Sequence, residues 1–178
     1  WSEKKVVWGV ENDFIVFKKS RNGKTSVYFK EYEKVDNQCR QMVRTNPYST
    51  LIKGCPNENG SRELKALFKR RVFDYPKPVV LIKHLLTMGS HKDSLILDFF
   101  AGAGSTGQAV WELNRQDGGT RQFILVQLDE PVLDEEVAKD FPTVADITIE
   151  RMRRVAKQYS EFDNSDNLFG FGVFRMPS

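Results

Sequence analysis

With 178 residues, 40% of them hydrophobic, the chain is long enough for one real core and a small satellite; 29% charged residues together with 13 Phe and 3 Trp exclude a disordered segment. No stretch reaches the roughly 18 consecutive apolar residues of a membrane span and no apolar leader opens the chain. Cys39 and Cys55 form no metal-ligand spacing, so a cytoplasmic protein with free thiols and no metal is expected. The net charge of +3 is unevenly spread: residues 1–80 carry 17 Lys and Arg against 9 Asp and Glu, residues 81–178 carry 10 against 15. A basic half beside an acidic half fits a nucleic-acid-binding module next to a small-molecule site, and equally a well-solvated surface.

In chain order, Phe14–Lys19 and Thr25–Tyr32 are rich in β-branched and aromatic residues and flank Ser20–Lys24. The Asn22-Gly23 pair there can take positive φ, which predicts a hairpin. Its basic side chains Lys18, Lys19, Arg21, Lys24 and Lys30 are candidate phosphate contacts, while its aromatics are better assigned to packing than to base stacking. Residues 33–60 are polar, hold Gly54, Gly60, Pro47 and Pro56, and read as a long connection. Ser61 is a candidate N-cap for a short amphipathic helix over Arg62–Lys69. Pro78 suits the first position of a second helix running to Gly89, apolar nearly all round and expected to be buried between layers. Ser94–Asp98 predicts a strand, Ser105–Asn114 a helix, and Arg121–Leu128 a second strand after Gly118-Gly119. Together they make a βαβ unit with a parallel sheet. Pro131–Asp140 reads as an acidic helix, Thr148–Lys157 as a firmer one, and Leu168–Met176 as a final strand. The domain boundary is expected between residues 60 and 61, a hairpin-bearing region before it and a ligand-binding region after it.

The loop between the predicted strand and helix carries Gly102-x-Gly104-x-x-Gly107, which on its own is a weak dinucleotide signal. Its neighbours say more. Asp98 closes the strand four residues before the first glycine, where a carboxylate would repel a pyrophosphate and attract an ammonium. Ser105 and Thr106 can donate to a carboxylate at a helix N-terminus. An acceptor for an amine and donors for a carboxylate favour S-adenosylmethionine over NAD.

These residues also resemble a known family. Leu97-Asp98-Phe-Phe100-Ala-Gly102-Ala-Gly104-Ser105-Thr106-Gly107 is similar to the cofactor motif of DNA amino-methyltransferases. Trp8–Asp13 with Val16–Lys19, Arg62–Phe68, Phe73–Pro78, Phe123–Pro131 and Asp146–Arg154 extend the likeness along nearly the whole chain. In that order they resemble the C-terminal part of the modification (Mod) subunit of type III restriction–modification systems, adenine-N6 methyltransferases. The resemblance implies an α/β, Rossmann-like methyltransferase fold, here a partial and mostly parallel sheet with flanking helices. It implies that Asp98, Gly102 and Gly104 hold the methionine end of S-adenosylmethionine beside Phe100, with Ser105 and Thr106 near its carboxylate. Lys77 and Pro78 fall on the family's Lys-Pro motif, although a plain helix start explains them too. At the end of the second strand Gln127 or Asp129 would meet the ribose; which one is open, and a cap on a helix near Pro131 explains Asp129 with Glu130 equally well. Double-stranded DNA is the implied substrate, a homo-oligomer the implied state, and a restriction subunit a candidate partner.

No Asp-Pro-Pro-Tyr type motif occurs, since none of the seven prolines are adjacent. That motif would orient the exocyclic amine and stack on the flipped base. The chain, which begins with Trp1 rather than Met, therefore reads as a fragment with no catalytic residue of its own, inactive alone, whose sheet keeps an open edge to be covered by oligomerising or by altered packing. Two other classes stay in view: a NAD-binding oxidoreductase domain and a non-catalytic DNA-binding module.

Overall fold

A computed structural model describes residues 2–32, 34–36, 38, 40–42, 48, 51–163 and 169–175. The chain divides into two compact units, residues 1–49 and 50–178. The first begins with a helix the sequence reading missed, α1 (Glu3–Glu11), followed by the hairpin β1 (Ile15–Lys19) and β2 (Thr25–Phe29). The strands pair antiparallel, Ile15 opposite Phe29 and Lys19 opposite Thr25. The turn is closed by Ser20 N–H donating to the Lys24 carbonyl (2.9 Å), and only Gly23, not Asn22, takes a positive φ, of 79°. The five-residue loop thus needs one left-handed residue where a two-residue turn would need two. Phe14 is the anchor of this unit. It is buried, stacks on Trp8 (5.2 Å between centroids) and Phe29 (6.0 Å), and meets Tyr32 edge-on (5.0 Å). Asp13, at φ 62°, turns the chain from α1 into β1 while its carboxylate accepts from Lys30 and Tyr32.

Of the connection read over residues 33–60, the described part holds an isolated bridge between Val35 and Gln41, wrapped around Asp36, which accepts from the Gln38 and Arg40 backbone. Cys39 and Pro47 lie outside the described residues. Helix α2 (Asn57–Phe68) starts four residues before the expected Ser61 cap. Gly60 is the reason this early turn matters: it lies against the backbone of Pro76 and Lys77, where a Cβ would stand 2.1 Å from the Pro76 oxygen. From the same helix, Glu63 accepts from the Val79 N–H (3.0 Å) and so caps α3 (Val79–Gly89), with Pro78 fully buried just before it.

The expected burial of α3 between layers does not hold. Only Val79 is fully buried, while Val80, Leu85 and Met88 are exposed. The βαβ unit is present as β3 (Leu95–Asp98), α4 (Ser105–Asp117) and β4 (Gln122–Leu125), the strands parallel with Leu95 opposite Gln122 and Asp98 opposite Leu125. Among the described residues this sheet has two strands, so the fold is mixed α/β with two small sheets, one antiparallel and one parallel. Phe123 and Leu125 pack inward against Trp111, Met152, Val155 and Tyr159, whereas Leu95, Leu97 and Ile124 are about half exposed on the other face. Parallel sheets are ordinarily covered on both faces; here one apolar face lacks a cover among the described residues.

The acidic helix expected over 131–140 shrinks to one turn, α5 (Glu135–Ala138), and its N-cap is Asp134, which accepts from Glu136 and Val137 N–H. Asp129 and Glu130 therefore do not cap it. The segment is instead tied off by a bridge between Pro131 and Thr143. Helix α6 (Val144–Asp163) is twice the expected length. Its apolar residues Ile147, Met152 and Val155 are fully buried, with Ile147 joining Leu64, Phe68, Val72 and Ala103 in a second cluster. The expected terminal strand is not one: the described residues 169–175 form no ladder, and Phe169 and Phe171 lie against Trp111 (5.7 and 6.3 Å). Leu168 and Met176 are outside the described residues. An aromatic-rich tail can bury its rings without pairing its backbone, and periodicity alone does not separate the two cases.

Candidate ligand site at the glycine loop

The loop of residues 99–104 leaves β3 and enters α4 with its backbone held on every side. Asp98 accepts from the Phe100 N–H through Oδ1 (3.1 Å) and from the Thr106 hydroxyl through Oδ2 (2.5 Å). From β4's extension, Gln127 accepts the Gly102 N–H at Oε1 (2.8 Å), and the Ala101 N–H donates to the Val126 carbonyl (3.1 Å). From α6, the Thr148 hydroxyl donates to the Gly102 carbonyl and Arg151 donates to the Ala103 carbonyl (3.1 Å). Gly102 (φ 53°) and Gly104 (φ 76°) both take left-handed backbone, which L side chains adopt only with strain. At Gly104 a Cβ would also press on Thr148 Cγ2 at 3.2 Å. Gly107 serves a third purpose, since α4 and α6 approach there until a Cβ would meet Met152 at 2.7 Å.

The expected site residues divide into two groups. Asp98, Gly102, Gly104, Ser105, Thr106 and Gln127 come together in and under the loop. Their polar groups, however, already have protein partners: the Ser105 hydroxyl donates to the Lys77 carbonyl (2.8 Å) and accepts from Arg151, and Thr106 is committed to Asp98. What the loop leaves open is backbone, because the first amides of α4 have no intrahelical acceptor by the geometry of a helix start. Lys77 joins the site through its carbonyl, its side chain being exposed, and Pro78 is buried. Asp129 is exposed and does not line the cavity beside the loop.

That cavity, about 200 Å³, lies between Phe73, Phe99, Phe100 and Gly102 on one side and Gln127, Leu128, Glu130 and Val144 on the other. Phe100 is 79% exposed, with Phe99 beside it at 5.1 Å between centroids. Glu130, rather than Asp129, is the carboxylate at the rim. Sequence reasoning passed over it, and over Phe73 and Val144, because their proximity comes from the bridge that closes residues 131–143, which has no local signature. Below the loop, α3, α4 and α6 are joined by Glu112, which accepts from Lys83 (3.0 Å), Gln108 (3.0 Å) and Tyr159 (2.8 Å). Burial alone would raise the Glu112 carboxyl, but these hydrogen bonds outweigh it and hold the group below the usual carboxylate range, while burial and Glu112 push the Tyr159 phenol well up.

In the first unit, Lys18, Lys19, Arg21 and Lys24 are exposed along the hairpin, Lys18 lying 5.3 Å over the Tyr28 ring. Lys30 is committed to Asp13; that hydrogen bond holds the lysine above its ordinary value and the aspartate below its own. Among the described residues no group of three His, Cys, Asp or Glu could hold a metal, and no helix is long and apolar enough to cross a membrane.

Residues 4–140 match the DNA methylase family. The chain belongs to that family. It is similar to the StyLTI Mod subunit of a type III restriction–modification enzyme from Salmonella typhimurium, 43% identical over 122 residues that cover 67% of this chain and 19% of the relative. It is 31% identical over 179 residues, 98% of this chain and 24% of the relative, to the EcoP15I Mod subunit of Escherichia coli. The type II methyltransferase M.KpnI of Klebsiella pneumoniae is 33% identical over 145 residues, 80% of this chain and 33% of its own length. The chain thus spans between about a fifth and a third of these relatives.

Proposed function

We propose that residues 50–178 form the S-adenosylmethionine-binding part of a site-specific DNA adenine-N6 methyltransferase of the type III Mod kind, in a Rossmann-like arrangement. The observation that carries this reading is the glycine loop itself: two left-handed glycines, clamped from β3, β4 and α6, that present backbone at the start of α4 beside a cavity with aromatic walls. A backbone cradle of this kind suits the amino-acid end of the ligand. The bound group would supply an electrophilic methyl on a sulfonium. The residues here would bind and orient it: Asp98 and Gln127 by fixing the loop, the first amides of α4 by meeting the carboxylate, Phe100 and Phe73 by packing on apolar surface, and Glu130 at the rim by accepting from hydroxyls.

The cavity is smaller than the roughly 300–1,000 Å³ of a complete small-molecule site. That size and the bare face of the β3–β4 sheet support a site completed by further protein, with the motif that orients the adenine amine supplied from outside these residues. The exposed Lys18, Lys19, Arg21 and Lys24 would contact the phosphates of double-stranded DNA. The names of the relatives support a restriction subunit as partner. Calorimetric titration with S-adenosylhomocysteine and, separately, NADH tests the cofactor assignment. Binding of the first and not the second is expected; binding of NADH alone would overturn it, and DNA binding with neither would favour a non-catalytic module.

A further inference from the structure

Arg151, in the middle of α6, is the largest fully buried side chain among the described residues, with no exposed surface. It lies under the glycine loop. Its Nη1 donates to the Ala103 carbonyl (3.1 Å) and to Ser105 Oγ (2.9 Å), and its Nε donates to Gln108 Oε1 (3.0 Å). All of these acceptors are neutral. No carboxylate among the described residues forms an ion pair with it, and Nη2 has no acceptor among them. The acids that influence it from a distance are engaged elsewhere, Glu63 with the Val79 N–H and Glu112 with Lys83 and Tyr159. A buried cation without a partner is expensive, and a neutral side chain could brace a loop at lower cost. Burial brings the guanidinium down to about 10, still charged at neutral pH. Its bonds to Ala103 and Ser105 place that charge at the N-terminus of α4, where it adds to the positive end of the helix dipole.

We propose that Arg151 is a positioning residue for the ligand carboxylate: it locks the loop from its buried side and supplies the positive charge that attracts the amino-acid end of S-adenosylmethionine to the start of α4. This rests on the cofactor reading given above, and one experiment separates the two. S-adenosylhomocysteine, which has the amino-acid end, and 5′-methylthioadenosine, which lacks it, are titrated calorimetrically into the full-length protein and its Arg151→Met and Arg151→Lys variants. The Arg151→Met change should weaken S-adenosylhomocysteine about tenfold, equivalent to about 1.4 kcal/mol, and shift 5′-methylthioadenosine by less than about twofold. Arg151→Lys keeps the charge and loses the fork, so both ligands should weaken modestly while their affinity ratio stays near that of the wild type. Equal weakening of both ligands by Arg151→Met, or no weakening, overturns the proposal. Should Arg151→Met fail to fold, the Arg151→Lys ratio decides, and its loss overturns the proposal likewise. Failure of the wild type to bind S-adenosylhomocysteine at all refutes the cofactor reading instead.

Discussion

Replacing Gly60 by Ala puts an ordinary helix rule and this structure in direct opposition. In a helix interior Gly→Ala is worth up to about 1 kcal/mol of added stability. Here the new Cβ would stand 2.1 Å from the Pro76 oxygen and 2.9 Å from the Pro76 and Lys77 carbonyl carbons, all of them backbone. No rotamer change can relieve that contact, so α2 and the 76–78 turn must separate by at least about 1.3 Å to restore ordinary van der Waals distance. Overpacking of this kind costs about 1–3 kcal/mol. The same turn carries the Lys77 carbonyl that accepts from Ser105 and leads to the Val79 N–H held by Glu63, and weakening these hydrogen bonds adds about 1 kcal/mol each. Net of the propensity gain, Gly60→Ala should destabilise residues 50–178 by about 2–4 kcal/mol. At about 2–4 °C per kcal/mol for a domain of this size, the transition should fall by about 4–16 °C in differential scanning calorimetry. Gly89→Ala is the control, because nothing lies within 4 Å of its Cβ, and its transition should not fall. A Gly60→Ala protein as stable as the wild type, or more so, would refute the close approach and with it the placement of the Lys77 carbonyl at the site.

Gln127→Ala should leave the Gly102 N–H without its acceptor and weaken S-adenosylhomocysteine by about three- to tenfold, a cost of roughly 1 kcal/mol; unchanged affinity in calorimetry would show that the loop keeps its shape without β4. Because the folded Glu112 carboxyl sits below its unfolded value, its contribution is present above about pH 4.5 and lost as the pH falls through the lower folded value. Glu112→Gln should therefore flatten the acid side of the stability–pH profile in urea titrations, and an unaltered acid limb would contradict the network. Ala substitutions at Lys18, Lys19, Arg21 and Lys24 should each reduce the slope of log K for duplex DNA against log salt by up to about 0.9. Lys30→Ala should lower the melting temperature of the first unit and leave that slope in place, since its charge is already paired with Asp13.

The sequence disclosed most where chemistry is local. The run from Leu97 to Gly107 displayed the strand, the carboxylate and the glycines, and all of them meet at one loop. The hairpin was equally visible, because β-branched strands and Asn22-Gly23 act over neighbouring residues. Contacts between distant segments stayed hidden. Nothing near Glu130 announces that the Pro131–Thr143 bridge will turn it to the cavity. Nothing in the sequence near Arg151, which stands close to Arg153, Arg154 and Lys157, marks it as a cation buried beneath the loop. The Ser105 and Thr106 hydroxyls read as ligand donors because their acceptors, the Lys77 carbonyl and the Asp98 carboxylate, become neighbours only on folding. The long apolar run of α3 promised burial that the described residues do not provide.

The loop hangs between two strands: Asp98, the last residue of β3, grips it at Phe100, and Gln127, just beyond β4, grips it at Gly102. Its curvature is therefore a readout of strand register. A slip of β4 by one residue would turn Gln127 to the opposite face of the sheet and release the strap at one buckle. Pocket shape here is tuned by the alignment of backbone ladders, and substitutions on the outer face of β3 and β4, whose residues do not line the cavity, become the natural place to adjust it.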